Sequence, residues 1–386
     1  MPKQNKGTLE TKTHYFWPTK QQELLLRAAL LKGEDALRAW HDWKSSLDIK
    51  HIDSGSYRLL PLLYRNLQAH GVRDVLLNEL EGIYRQTWCK NQILFHSIAS
   101  LLRSFGDAGI ETMILKGASL VLLAYKDYGL RPMGDLDILV HTGKVLPAIA
   151  VLKKQGWTPI SFDPNADYIS VRYSHGFEDT DGRQCDLHWH LLPQCCQPDA
   201  DDDFWAGAAL TKIRDVSTYV LNPADQLLHI CIHGTKWDVT PTFRWVADAM
   251  MILQSTKTDF AWDRLIQQAR KRHLVLPLID TLEYLHDKFG TLVPQFVLQD
   301  LKSAPVPGIE RIEYQIAINP PTRWSALLEL WCHHSRLMEN ATLLSRLITF
   351  PRFLQSIWGV PLWKVPFYGS LKMMTWYKNR LARNYQ

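Results

Sequence analysis

The chain is 386 residues long, 46% hydrophobic and 22% charged, with a formal net charge of +5. That length allows two or three domains, and the balance is ordinary for a folded protein, so disorder is excluded as its main character. The opening residues, MPKQNKGTLETKTHYFWP, hold no apolar run and no uncharged apolar stretch of about 18 residues occurs anywhere, so a cytoplasmic protein without a transmembrane segment is expected.

Residues 1–20 are polar and read as a flexible tail. Residues 21–108 form a helical region, with apolar residues three and four apart in QQELLLRAALL, LLPLLYRNL and ILFHSIASLLRSF. Breaks at Gly33, Asp53–Gly55 and Gly71 predict several short helices rather than one long one.

Residues 112–140, TMILKGASLVLLAYKDYGLRPMGDLDILV, read as a strand, a glycine turn, a helix, a short loop and a second strand that opens on two aspartates. Strand side chains alternate, so Asp135 and Asp137 share one face while Leu136, Ile138 and Val140 take the other. Two adjacent carboxylates repel unless a cation lies between them, and a hard divalent ion such as Mg2+, or Mn2+, meets that need. Lys116 and Gly117 end the first strand where a helix begins, a place where backbone N–H groups can approach a phosphate. Arg131, four residues before Asp135, adds a positive side chain that a polyphosphate would require.

LPAIAVLKKQGW follows as an amphipathic helix closed by Gly156. Trp157–Phe162, Tyr168–Tyr173 and Gly176–Asp179 then read as strands before a hairpin turn at Asp181-Gly182. RQCDLHWHL alternates, with Cys185, Leu187, Trp189 and Leu191 on one face and Gln184, Asp186, His188 and His190 on the other. After the acidic loop Asp199–Asp203, Asn222 and Pro223 start a helix as cap and first residue. More helices follow, broken by the proline-rich segment at 305–308, which reads as a linker. The expected organisation is a tail at 1–20, a helical region at 21–108, a core at 109–220, a helical domain closing the cleft at 221–304 and a basic aromatic region at 305–386.

Asp186 turns the aspartate pair into a triad, and three carboxylates on neighbouring strands can hold two Mg2+ ions and activate a hydroxyl against the α-phosphate of a nucleotide. His188 and His190 have a His-x-His spacing, but no further zinc ligands stand out; His229 and His233 lack the glutamate of His-Glu-x-x-His. All four read as packed or capped histidines. Arg244 and Asp248, one turn apart, read as a helix ion pair.

Six cysteines (Cys89, Cys185, Cys195, Cys196, Cys231 and Cys332) show no Cys-x2-Cys spacing and are expected to be reduced. From Arg346 onward there are seven Lys or Arg and no acidic residue, interleaved with Trp358, Trp363, Phe367, Trp376 and Tyr377. This composition suits a membrane surface, an anionic acceptor, RNA or simply a basic surface on a packed helical layer.

On these residues the chain resembles the nucleotidyltransferase superfamily with a DNA polymerase β-like fold, and within it the bacterial family of the NTP_transf_5 type. The likeness spans roughly residues 20–300 and is carried by Leu115-Lys116-Gly117, Tyr125, Arg131, Asp135-Leu136-Asp137-Ile138 and Asp186-Leu187-His188-Trp189, with LLPLLYRNL at 59–67 and the helical His229, His233, Arg244, Trp245 and Asp248. The resemblance implies an α+β fold, a polymerase β-like core of mixed sheet and flanking helices between N- and C-terminal helical regions. It also implies transfer of a nucleoside monophosphate from an NTP, ATP by preference, to a hydroxyl-type acceptor with release of pyrophosphate. Asp135, Asp137 and Asp186 would be the catalytic, Mg2+-binding carboxylates, and Lys116, Gly117, Ser119 and Arg131 would hold the nucleotide. The superfamily pattern has Gly-Ser or Gly-Gly shortly before the aspartates, whereas here Ala118 follows Gly117 and sixteen residues separate Ala118 from Asp135. A non-catalytic nucleotide- or partner-binding module on this fold is the alternative. An Asp-x-Asp glycosyltransferase fits less well, because eighty-odd helical residues precede the pair in place of a nucleotide-sugar sheet.

Overall fold

The computed structural model describes residues 17–46, 52–235, 243–256, 260–290, 293–319, 322 and 324–370. Most of the expected tail at 1–20, together with Trp376 and Tyr377, lies outside them. Five helices lead: α1 (Lys20–Leu30), α2 (Gly33–Ser45), α3 (Ser54–Tyr57), α4 (Leu60–Ala69) and α5 (Leu76–Asp107). Gly33 and Gly71 take positive φ at +63° and +66°, conformations that cost a glycine little, so these breaks occur as the sequence predicts. The expectation of short helices only is corrected by α5, which runs 32 residues. Gly82 and Gly106 lie inside it without a turn, because its Leu80, Phe95, Ile98, Leu102 and Phe105 are buried and packing outweighs glycine's helix cost of about 1 kcal/mol.

The centre is a seven-stranded mixed sheet in the order β3-β4-β5-β2-β1-β7-β6. Its strands are β1 (Thr112–Ile114), β2 (Asp135–Val140), β3 (Thr158–Pro159), β4 (Ser174–Glu178), β5 (Gln184–His188), β6 (Ala209–Ile213) and β7 (Val216–Val220). Between β1 and β2 the chain forms α6 (Lys116–Leu120), which runs on as a π-helical turn through Tyr125. Helix α7 (Val145–Lys154) carries the chain from β2 to β3, with Gly156 at φ +84° just past its end. β1 is antiparallel to β2 and parallel to β7, while β2 and β5 run parallel. The expected strand at Tyr168–Tyr173 is instead a short helix, α8 (Ala166–Ile169), because the Asn165 side chain accepts the Tyr168 N–H at 2.9 Å and starts a helical turn. The strand expected over Trp157–Phe162 shrinks to β3, next to Ser161 at φ +78°.

The two sheet faces bury different neighbours. Ile114, Leu136, Ile138 and Val140 join a core with α5 and α7, through residues such as Phe95, Phe105 and Leu152. Met113, Leu115 and Leu139 face the other way, into a core with α1, α4 and the later helices α9 (Asp202–Ala206), α10 (Pro223–Gly234), α11 (Arg244–Thr256), α12 (Trp262–Lys271) and α13 (Val275–Phe289). Alternation places Asp135 and Asp137 on Leu139's side, so they look toward the α10 layer. Asn222 caps α10, accepting the Ala224 and Asp225 N–H groups at 3.1 Å each, with Pro223 at its first turn as expected.

Helices α14 (Gln295–Ser303), α15 (Gly308–Ile318), α16 (Ser325–Leu337) and α17 (Leu343–Trp358) follow, with a 3-10 turn at Leu362–Lys364 beyond them. The proline-rich segment at 305–308 is a turn into α15 within a packed layer: Glu310 accepts the Leu276 N–H at 2.7 Å, and Arg336 donates to the Arg272 and His273 carbonyls at 2.9 and 3.0 Å. All six cysteines lie outside any disulfide. No helix among the described residues is long and apolar enough to cross a membrane.

Candidate active site

The parallel β2–β5 register sets Asp137 directly opposite Asp186 and Asp135 opposite Gln184. His188, two residues beyond Asp186, is on the same face, and its Nε2 lies 3.0 Å from Asp137 Oδ1. Ligand atoms of Asp137, Asp186 and His188 all fall within 4.8 Å of one another, which makes them a candidate metal-holding group. Asp135 is exposed at the start of β2 and is not a member of that group.

Lys116 completes the cluster. The Leu115 N–H donates to the Asp137 carbonyl at 3.0 Å, which brings the end of β1 beside β2, and Lys116 then turns with φ +40° so that its Nζ donates to Asp137 Oδ1 at 2.6 Å. Burial raises the Asp137 carboxyl, yet the Lys116 charge and the His188 hydrogen bond outweigh it and hold the group far below the ordinary carboxylate range. Asp186 moves the opposite way, pushed up by burial and then by the Asp137 charge. Burial lowers Lys116, but the Asp137 charge reverses this and leaves the ammonium more firmly protonated.

The other expected nucleotide residues have different surroundings. Gly117 is buried, and a Cβ there would meet Arg131 Nη1 at 2.9 Å and the Met133 sulfur at 3.1 Å. Ser119 Oγ donates to the Lys116 carbonyl at 3.0 Å and accepts from Gln226 Nε2, on α10, at 2.7 Å. Arg131, 4% exposed, is bidentate to Asp248 on α11 at 2.8 and 2.9 Å, and Tyr125 donates to the same carboxylate at 2.8 Å. Of the four, Lys116 is the one whose charged group lies on the carboxylate cluster; the other three shape and fasten the turn that carries it.

Asp248 therefore pairs across the fold, correcting the expected Arg244–Asp248 helix pair. Arg244 donates instead to the Pro132 carbonyl at 3.0 Å, and burial, followed by the Arg131 charge, pulls its guanidinium down to about 10. Asn91 on α5 donates to the Tyr128 and Arg131 carbonyls at 2.6 and 2.8 Å. The loop leading into Asp135 is thus tied from both sides of the sheet. Gly117→Ala should destabilise the protein by about 1–3 kcal/mol, since the atoms it displaces belong to this locked guanidinium and a packed Met133. Urea denaturation against wild type would measure it.

His188, which the sequence alone reads as a packed or capped histidine, belongs to the cluster. Its Asp-x-His spacing from Asp186 was visible, but its company became apparent only with the β2 register. His190 goes elsewhere, to Asp201 at 2.7 Å. His229 and His233 on α10 lie with ring centroids 6.4 Å apart, and burial, then the Lys116 charge, pushes His229 well below the ordinary imidazole range.

A mixed sheet with helical layers thus presents two cross-strand carboxylates, an imidazole and a lysine in one cluster, a grouping of titratable side chains that marks a candidate functional site. The chain belongs to a family described as uncharacterised nucleotidyltransferases, whose model matches residues 56–290, more than half of its length. Among solved structures it is similar to an antigenic nucleotidyltransferase-like protein from Paracoccidioides brasiliensis, at 14% identity and a TM-score of 0.34, over 55% of this chain and 94% of that one. No curated protein matches it.

Proposed function

We propose that the protein is a divalent-metal-dependent nucleotidyltransferase, on a polymerase β-like core, that moves a nucleoside monophosphate from an NTP to a hydroxyl-bearing acceptor. The observation that carries this reading is the cross-strand pair Asp137–Asp186 with Lys116 and His188 in reach. The donor set fits a divalent cation: two carboxylates and an imidazole whose Nδ1 is buried with no hydrogen-bond partner among the described residues. Oxygen ligands suit Mg2+ or Mn2+, and the imidazole tilts the choice toward Mn2+. Bound there, the ion supplies charge to offset the phosphates and the developing negative charge.

The chain's own groups divide the remaining work. Asp137, Asp186 and His188 would hold the cation, and the exposed Asp135 would add a further carboxylate at the start of β2. Lys116 meets the triphosphate. The acceptor oxygen bonds to the α-phosphorus, the α–β phosphoanhydride P–O bond breaks, and pyrophosphate leaves with the bonding pair. Asp186, which faces Asp137 across the paired strands, takes the hydroxyl proton. The test is α-labelled ATP, then the other NTPs, with Mg2+ or Mn2+ and a cell extract. Label should move to an extract component with wild type and not with Asp137→Asn. If folded wild type binds nucleotide and metal but neither transfers label nor releases pyrophosphate with any NTP, the non-catalytic binding module replaces this reading.

We further propose that α17 and the turn after it dock on an anionic bilayer surface. Leu344, Leu347 and Ile348 make a stripe at helical spacing on α17, Trp363 and Phe367 extend it, and each is more than half exposed. Arg352 and Lys364 are exposed beside them, and no acidic residue follows Glu339. Apolar side chains rimmed by cations fit a lipid interface better than an RNA backbone, which would leave the stripe in water. Leu344→Asp/Ile348→Asp should abolish flotation with phosphatidylglycerol vesicles and leave thermal stability unchanged. Equal flotation with phosphatidylcholine vesicles, or binding to RNA alone, overturns the assignment.

A further inference from the structure

A cavity of about 320 Å³ lies between α10, α13, α15 and α16. That is the lower end of the size range of small-molecule sites, roughly 300–1,000 Å³. Ile232, Leu274, Pro277, Ile316 and Leu330 give it an apolar body. Three of its lining side chains carry a buried polar atom without a partner among the described residues. Glu310 is 2% exposed, and although its Oε1 accepts the Leu276 N–H, its Oε2 is buried with no partner among the described residues. Gln194 Oε1 and Arg172 Nε, on two more lining residues, are likewise buried and unpartnered. An unsatisfied buried polar atom costs about 1–3 kcal/mol, and more for a charged one, so three around one cavity point to a ligand that satisfies them.

The cavity adjoins the candidate active site. Tyr173 lines it, and the Tyr173 ring centroid is 5.8 Å from that of His188. Helix α10 links the two places as well: Gln226 holds Ser119 beside the Lys116 turn, and Ile232 and Thr235 line the cavity. Six residues of helix, from Gln226 to Ile232, span about 9 Å, the length of a small acceptor molecule.

We infer that this cavity is the acceptor pocket and takes an amino alcohol, its cationic amine held by Glu310 and its hydroxyl end at Tyr173, toward the carboxylate cluster. The inference rests on the proposed nucleotidyl transfer for the word acceptor, while the pocket's preference for amines stands on its own. A protonated amine would give the buried Glu310 Oε2, which has no hydrogen-bond partner among the described residues, a charged donor. Gln194 Oε1 and the Arg172 N–H offer an acceptor and a donor to the remaining polar atoms. Glu310, α15 and α16 lie beyond residues 56–290, the part of the chain that the family model matches.

The experiment is saturation-transfer NMR with tyramine and 6-amino-1-hexanol against their neutral counterparts tyrosol and 1,6-hexanediol. With wild type the amines should bind at least about tenfold tighter, the equivalent of about 1.4 kcal/mol. Glu310→Gln, which keeps the Leu276 hydrogen bond, should erase the difference, and Ala317→Trp should fill the cavity and remove binding. Equal binding of amines and neutral compounds, no binding of any, or unchanged binding by a folded Ala317→Trp overturns the pocket. Labelled transfer separates the two readings: transfer lost in Ala317→Trp with nucleotide binding kept supports the acceptor role, and transfer that persists rejects it. No transfer by any protein counts against nucleotidyl transfer and so against the acceptor role, leaving amine selectivity to be judged by NMR.

Discussion

Asp137→Asn should lower nucleotidyl transfer by about a thousandfold or more while leaving the protein folded. A metal centre supplies several kcal/mol of charge stabilisation, and each 1.4 kcal/mol is a factor of ten in rate. Asp137 is where that loss concentrates, because Lys116 and His188 both bond its Oδ1 and Asp186 faces it across the strands. The amide keeps the side chain's shape and can still accept from Lys116, but it no longer offers an anion. Asp186→Asn should cost a similar amount, since it replaces an anionic oxygen ligand with a neutral one and removes the proton acceptor. Asp135→Asn, at an exposed position outside the tight group, should cost less. Rates under single-turnover conditions, with Mn2+ binding followed by electron paramagnetic resonance, check this order. Equal losses from Asp135→Asn and Asp137→Asn would mean that the cluster is rearranged when nucleotide binds, and unchanged rates in all three would place the chemistry elsewhere.

The strands that carry this site were legible in the sequence because their evidence is local. A period of two puts Asp135 with Asp137, and Asp186 with His188, whatever the rest of the chain does. What brings the two strands together is register, a non-local property, and so the company His188 keeps could not be read. The same limit applies to Arg131. Its charge and position were plain, but the carboxylate that neutralises it comes from Asp248, 117 residues on. The sequence marks Gly117 as the turn after β1; the backbone turns at Lys116 instead, and the glycine is needed because a guanidinium and a methionine press against it. The hairpin β6–β7 was not singled out, although Val216–Val220 is rich in β-branched residues. Its turn contains Arg214 at φ +54° rather than a glycine or asparagine, so the usual punctuation is missing.

Asp248→Asn is expected to have the largest effect on stability, a loss of about 3–5 kcal/mol, because it strands the Arg131 guanidinium without a counter-charge in the interior. Arg131 and Asp248 are 4% and 3% exposed, and Tyr125 donates to the same carboxylate, so water cannot replace what the amide fails to give. Burial raises the Asp248 carboxyl, but Arg131 more than reverses this and holds it below its ordinary range. A carboxyl lowered in the folded state stabilises fully above its unfolded value of about 3.9, and that contribution is lost as pH falls through the folded one. Wild type should therefore lose part of its stability below about pH 4 through this group, and Asp248→Asn should lack that part of the acid limb. The double variant Arg131→Met/Asp248→Leu removes both charges and should recover much of the loss, since apolar replacements of a buried pair are often neutral. Urea denaturation of the two single variants and the double variant closes the cycle. A double variant as unstable as the sum of the singles would show that the pair is not coupled. A stable double variant with reduced transfer would show that the pair serves activity by holding the loop that leads into Asp135.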